Sequence, residues 1–339
     1  MNVLDDVEFT RLVERHSREL RVHCYRMLGS FDEAEDLVQE TFLRAWRNHE
    51  TFEGRASFRT WLFKIATNAC LDFLDRSRRR PQVRSSPPGD SPAAAEGVEI
   101  SWLQPFPDQL LEPVASAEDE PEAAVVERET IELVFLVAIQ RLPPRQRAVL
   151  ILRDVLGWRA AETAEVLEMS VPAVKSALQR ARPMMRSRLP RRRSDWTASV
   201  PASEQERTLL HQFMDAHEHM DAAALAAVLS DDVQLTMPPH PFWVVGPAAV
   251  IGFMQEAVGP GSPLHRADWR SVPTRANRQP AVAGYIRLPG ELQYRAQVLN
   301  VVRVEAGKIA EITAFEPHLF PAFGLPSVLE NGNDSFSSH

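Results

Sequence analysis

AAETAEVLEMSVPAVKSALQRAR, Ala160 to Arg182, has the layout of two short helices around a tight turn. Ala164, Val166 and Leu167 supply the apolar positions of the first helix. Val174, Ala177, Leu178 and Ala181 recur at helical spacing on the second. Glu168, Met169 and Ser170 make the turn. Ser170 is placed to cap the second helix through its hydroxyl, and Pro172 is tolerated in the first helical turn. Lys175, Ser176, Gln179 and Arg180 remain on the exposed face, side chains that reach base edges and phosphates in a major groove. A basic amphipathic helix in an ordinary bundle has the same periodicity, and the surrounding charge favours the DNA-reading alternative. Arg141 to Arg193 carries thirteen Lys/Arg and four acids, a formal balance of +9 in a chain whose net charge is −8.

With 339 residues, 44% of them hydrophobic, the chain has material for two or three cores. An isoelectric point near 5.7 argues against indiscriminate coating of nucleic acid. The charge is segregated instead: Gln82 to Gln140 has twelve acids and two basic residues, a balance of −10. That composition fits a solvated linker, and equally a cover for a basic surface. Cys24 and Cys70 form no CxxC or Cys/His cluster, so buried thiols are expected rather than a zinc site or a disulfide framework, and no cofactor is implied. The N-terminus has no apolar signal core and no run approaches a membrane span, which points to a cytoplasmic protein.

Four segments follow along the chain. Residues 7–80 read as helices packed on one another, broken at Gly29-Ser30 and around Gly54, and ending in a basic run. Residues 81–121 have the Pro, Ser, Ala and acid content of a linker, interrupted by an island at 101–113 (SWLQPFPDQLLEP) too apolar for a spacer and expected to dock through Trp102 and Phe106. Residues 122–190 are helical and contain the helix-turn-helix. Residues 204–326 begin with helices and continue into strands at Val272–Arg275, Gln279–Leu288, Tyr294–Glu305 and Lys308–Phe315, with Gly307 marking a hairpin. Helices followed by antiparallel strands predict an α+β cone.

DEAEDLVQETFLRAW (Asp32 to Trp46) with FEGRASFRTWLFKIATNACLDFLDRSRRR (Phe52 to Arg80) resembles region 2 of bacterial extracytoplasmic-function sigma factors. LPPRQRAVLILRDVLGWRAAETAEVLEMSVPAVKSALQRAR (Leu142 to Arg182) resembles their region 4. Either block alone fits another helical DNA binder; both, in this order, are specific. The resemblance implies a multidomain protein: a region 2 helical bundle, a region 4 helix-turn-helix, and no counterpart of the extra domains of housekeeping sigma factors. It implies that the polar face carrying Asp36, Gln39 and Glu40 docks on the β′ subunit of core RNA polymerase, with β as a further contact. A melted −10 strand needs aromatic faces, polar groups for a flipped base and cations for phosphates. Phe52, Arg55, Phe58, Arg59, Trp61, Lys64 and Asn68 supply those types; by resemblance Phe52 and Asn68 lie at the pocket for an extruded base, and Trp61 fits the core equally well. Lys175, Ser176, Gln179 and Arg180 match positions that read the −35 element, with Arg145 and Arg159 as phosphate contacts.

The C-terminal segment resembles the SnoaL-like branch of the NTF2-like α+β fold through DDVQLTMPPHPFWVVGPAAVIGFM, GYIRL and GKIAEITAFEPHLFPAFGLP. Related cones use an Asp or His for acid–base chemistry, and His211, His217, His240, Asp231, Asp232 and Trp243 are the candidates here. No carboxylate–His pair is evident among them, so a structural or regulatory domain is expected, without catalytic residues. The resulting expectation is a non-enzymatic initiation factor whose cone regulates it in cis and whose partners are core polymerase and promoter DNA. Three alternatives stay open. The cone is a small-molecule enzyme, it is a ligand sensor, or the chain is a one-component regulator of duplex DNA. Whether a separate anti-sigma protein exists is also open.

Overall fold

The computed structural model describes residues 6–49, 52, 54, 57–78, 102–111, 131–188, 204–240 and 242–330. They divide into two compact units. One is helical and includes Trp102–Phe106 and Leu110–Leu111 of the island, whereas Pro107–Gln109 belongs with the C-terminal unit.

The helical unit begins with α1 (Asp6–Leu28), α2 (Phe31–Asn48) and α3 (Phe58–Arg78). Gly29, at φ +74°, makes the elbow between α1 and α2; a side chain there would be strained and would press on Gln140. Ser30 caps α2 by accepting from the Glu33 N–H, and Asp32 and Glu33 place negative charge where the helix dipole favours it. Leu20, Tyr25 and Met27 of α1, Ala34 and Ala45 of α2, and Leu62, Phe63, Ala66 and Ala69 of α3 are wholly buried. His23 joins this core neutral, bonded to Thr67 Oγ1 at 2.9 Å, with its pKa pushed down to about 3 by burial and by nearby Arg26 and Arg59. Cys24 and Cys70 are free and buried, and their mutual hydrogen bond together with burial pushes the Cys70 thiol up.

The chain resumes with α4 (Leu133–Gln140), α5 (Pro144–Leu150), a π-helical turn over Ile151–Val155, α6 (Ala160–Leu167) and α7 (Val171–Arg188). Pro143 and Pro144 start α5, where a missing N–H costs nothing. Glu168 takes the left-handed conformation that ends α6. Ser170 Oγ accepts from the Ala173 N–H at 3.3 Å, so the expected cap is made. Val166, Val174 and Ala181 are wholly buried, as the helical spacing required, with Ala164, Leu167, Ala177 and Leu178 nearly so.

The C-terminal unit is built from α8 (Glu204–Glu218), α9 (Ala222–Val228), β1 (Leu229–Thr236), β2 (Trp243–Val245), α10 (Pro247–Val258), β3 (Asp268–Ala276), β4 (Gln279–Arg287), β5 (Tyr294–Glu305), β6 (Lys308–Phe315) and β7 (Val328–Leu329). The sheet order is β2-β1-β6-β5-β4-β3, with β7 added to β5. β3, β4, β5 and β6 pair antiparallel in chain order, as the sequence reading expected. β1, outside that run, lies parallel to β6, so the sheet is mixed. The reason is topological: β1 follows the helices directly, and α10 with four strands, β2 to β5, intervenes before the chain returns beside it. Alternation identifies a strand's faces and says nothing about the direction of its neighbour. Helices α8, α9 and α10 cover one face through Phe213, Leu225, Val228 and Val250, packed on Val282, Val302 and Ile312. The 3₁₀ segment Pro317–Phe323 covers the other face, with Phe320 edge-on to Tyr285 and the Tyr285 hydroxyl donating to Pro326 O at 3.0 Å.

Candidate nucleic-acid and polymerase interface

Lys175, Ser176, Gln179 and Arg180 all lie exposed on α7, and Arg180 Nη1 donates to Ser176 Oγ at 2.8 Å. Arg145 and Arg159 are exposed as well. The opposite face of α7 is sealed into the core, so these side chains form a basic and polar surface on a rigid helix. Arg182 is not part of it. Its guanidinium makes a bidentate pair with Asp154 at 2.9 and 2.8 Å, which also raises its pKa.

The −10 candidates on α3 are brought together only in part. Trp61, Lys64 and Asn68 share one helix face by their spacing, each half-buried. Phe52 packs on Trp61 at 5.2 Å and on Phe58 at 5.8 Å between ring centroids, extending an aromatic cluster through Phe9 to Trp46. Trp61 therefore serves the edge of the core while keeping an accessible face. Asn68 stands about 10 Å further along the helix axis from Trp61, the ring on which Phe52 packs. Arg55 lies outside the described residues.

The two candidate cations of α3, Arg59 and Lys64, are engaged within the helical unit. Arg59 Nε donates to Glu19 Oε2 at 2.8 Å, and its guanidinium lies over the rings of Phe63 and Trp158 at 5.1 and 5.2 Å. Burial would raise the Glu19 carboxyl, yet hydrogen bonds from His16 and Arg59 hold it at about 2. Lys64 Nζ pairs with Glu168 Oε1, in the turn of the helix-turn-helix, at 3.1 Å. Sequence reading missed these long-range pairings, because neither Glu19, Trp158 nor Glu168 carries a local signal of them.

Of the polymerase candidates on α2, Asp36 and Gln39 are exposed, while half-buried Glu40 pairs with Arg44 at 2.6 Å. Leu43 and Trp46 continue this side of α2 with 56% and 42% exposure. The island docks as expected through Phe106, wholly buried against Tyr25 at 4.8 Å and Phe31 at 5.5 Å. Trp102 does not: it stays 39% exposed, and Leu103 and Leu111 fill the role instead.

In the cone, His211, His240, Asp231 and Asp232 are exposed and Trp243 is half-buried. A carboxylate–His pair does exist, contrary to expectation: His240 Nε2 lies 3.3 Å from Glu316 Oε1, with His318 on the other carboxylate oxygen at 3.4 Å. These groups are more than two-fifths exposed, and Glu316 is too far along the chain from His240 to be seen as its partner in sequence. His217 is buried against Phe213 and Trp269, and burial pushes its pKa down to about 4. Among the described residues no group of three or more His, Cys, Asp or Glu is placed to hold a metal ion, and no helix is long and apolar enough to cross a membrane.

Comparison with known proteins agrees with this layout. Residues 12–80 match the Sigma-70 region 2 family, 133–185 match Sigma-70 region 4, and 210–312 match the SnoaL-like domain. The ECF RNA polymerase sigma factor SigG of Mycobacterium tuberculosis is 40% identical over 329 residues, covering 95% of this chain and 85% of its own. The chain belongs to the extracytoplasmic-function (ECF) RNA polymerase sigma factors. As a sigma factor it binds core RNA polymerase and directs it to promoter DNA. The ECF sigma factor SigW of Bacillus subtilis is 31% identical over 185 residues, 55% of this sigma factor and 90% of its own length. The crystal structure of the ECF sigma factor SigJ of Mycobacterium tuberculosis shares the fold across 94% of this sigma factor and all of its own chain, at a TM-score of 0.59 and 23% identity.

Proposed function

We propose that this sigma factor reads the −35 element with Lys175, Ser176, Gln179 and Arg180. In the same reading it holds the melted −10 strand with Phe52, Arg55, Arg59, Trp61, Lys64 and Asn68, and meets polymerase through Asp36, Gln39 and Glu40. The observation that carries this reading is the shared exposure of the four α7 side chains on a helix whose other face is buried. Major-groove reading needs that geometry. The domain limits follow as 7–80, 122–190 and 204–326, with the linker at 81–121, and the protein works in the cytoplasm with the polymerase. Pulldown of core polymerase and run-off transcription test the assignment. Asp36→Arg with Glu40→Arg reverses charge on α2 and weakens holoenzyme assembly; wild-type affinity in that variant removes α2 from the interface.

The cone is read as a regulatory domain acting in cis, not as an enzyme. Its buried ionisable candidate, His217, is enclosed by aromatic rings and held neutral, while the paired His240 and Glu316 sit in solvent. Support for regulation comes from the linker. Asp108 belongs with the cone, where it accepts from the Arg278 N–H at 2.7 Å and from Arg275 Nε at 3.2 Å. A few residues upstream, Gln104 belongs with the helical unit. Truncation after Arg193 changes promoter output and the protease sensitivity of residues 82–121; identical output and cleavage make the cone a passive appendage.

A further inference from the structure

The first turn of α2 is completed by a residue from the linker. The opening N–H groups of a helix need acceptors from outside it. Ser30 Oγ serves Glu33, and the Asp32 N–H donates to Gln104 Oε1 at 2.9 Å across 72 positions of sequence. The same Gln104 oxygen accepts from the Ser30 hydroxyl at 2.8 Å, and Gln104 Nε2 donates to Asp32 Oδ2 at 2.8 Å. Its backbone is held too: the Gln104 N–H donates to Gly29 O at 3.0 Å, and the Tyr25 hydroxyl donates to Gln104 O at 2.7 Å. Phe106, wholly buried between Tyr25 and Phe31, anchors the segment, so Gln104 cannot leave without exposing that ring.

We propose that Gln104 is a positioning residue of the polymerase-binding site, fixing the Asp32 carboxylate and the first turn of α2 so that the stripe Asp32, Asp36 and Gln39 is presented in one orientation. The spacing of those three places them along one side of the helix, with Asp36 and Gln39 exposed. Both functions of the Gln104 amide are used, its oxygen on α2 donors and its nitrogen on a carboxylate, and an ionised carboxylate, which only accepts, cannot do both. A preoriented acidic stripe loses less freedom on meeting a basic surface, and affinity gains by that amount. The linker island is thus part of the binding site and not a spacer leading to region 4.

The inference rests on the assignment of α2 to polymerase, and the test separates the two. In the full-length protein, Gln104→Glu keeps the acceptor and sets a carboxylate against Asp32. It lowers affinity for purified core polymerase about tenfold, the scale of one lost charge-assisted hydrogen bond. The affinity of α7 for duplex −35 DNA stays at its wild-type value, and the denaturation midpoint falls only slightly, since the Gln104–Asp32 contact is exposed. Asp32→Asn restores a donor opposite the introduced carboxylate, so Gln104→Glu with Asp32→Asn binds as well as Asp32→Asn alone. Two outcomes overturn the proposal: wild-type polymerase affinity in Gln104→Glu while Asp36→Arg with Glu40→Arg is defective, or an affinity loss that Asp32→Asn does not reverse. Wild-type affinity in Asp36→Arg with Glu40→Arg overturns the α2 assignment itself, and the proposal with it.

Discussion

Replacing Arg147 with Met removes a buried charge from the junction of α1, α4 and α5 at nearly constant volume. Arg147 is 3% exposed. Its guanidinium donates to Met27 O, to Gln140 Oε1, to Gln140 O at 2.6 Å and to Leu142 O at 3.3 Å. Met27 O is a terminal carbonyl of α1, so a cation there also meets the negative end of the helix dipole. A hydrogen bond to a charged donor contributes about 1.5–3 kcal/mol, and a stranded buried acceptor costs about 1–3 kcal/mol. The Gln140 amide keeps one partner, the Arg26 carbonyl at 3.0 Å, and release of the guanidinium from burial offsets part of the loss. The balance is a destabilisation of about 3 kcal/mol. With a urea slope of roughly 2 kcal/mol per molar for a domain of this kind, the midpoint of the helical unit falls by about 1.5 M. Urea titration followed by far-UV circular dichroism measures it, with the Tyr285–Phe320 packing of the cone as an internal reference. A midpoint within about 0.2 M of wild type refutes the reasoning, because the guanidinium then contributes no more than an exposed arginine.

Further outcomes follow from single sites. Arg180→Ala and Lys175→Ala each lose about 1–3 kcal/mol of promoter affinity with relaxed preference at one −35 position, read by competition binding against substituted duplexes. Asn68→Ala leaves −35 binding intact and slows open-complex formation; normal opening, followed by permanganate reactivity, removes it from the flipped-base role. Glu168→Gly relieves the left-handed strain of φ 52°, adding up to about 1 kcal/mol while the exposed Lys64 pair contributes little. It also frees Lys64, so the isolated protein binds single-stranded −10 DNA more tightly; unchanged binding shows that the pair does not compete with DNA. His217 has a folded pKa of about 4, below its ordinary 6.5. Its contribution is complete above pH 6.5 and is lost as pH falls toward 4, because the unfolded chain binds the proton first. The loss over that window is about 3 kcal/mol, and His217→Phe flattens it in pH-dependent urea unfolding.

The helix-turn-helix was legible because its determinants are local: Val174, Ala177, Leu178 and Ala181 at helical spacing, a Ser170 cap, and a face of Lys175, Ser176, Gln179 and Arg180. The long strands Tyr294–Glu305 and Lys308–Phe315 were legible through alternation, with Gly307 at φ +76° in the hairpin between them. What stayed hidden has no local period. Arg147 is one of the thirteen Lys/Arg of Arg141–Arg193, and only the fold shows that it is buried, donating to the Met27 carbonyl at the end of α1. Glu168 reads as one acid of a turn, yet it is the partner of Lys64, about a hundred positions earlier. The parallel pairing of β1 with β6 depends on which edge the returning strand finds, and residues on either strand carry no record of it.

The linker shows why composition is a poor guide to a segment that is fastened at points. Its Pro, Ser and acid content is that of a solvated tether, and most of it stands outside the described residues. Ordering a residue costs about 1–2 kcal/mol of backbone freedom, so a segment of low mean hydropathy folds only where several contacts fall on a few residues. Residues 102–111 meet that condition: Leu103, Phe106 and Leu111 bury apolar side chains, while Gln104 and Asp108 each satisfy donors of a turn or helix start. The apolar residues were visible in sequence as an island and predicted docking. Gln104 and Asp108 were not, since an amide and a carboxylate in a polar linker are the expected solvated groups, and only the N–H groups of Asp32 and Arg278 reveal what they are for.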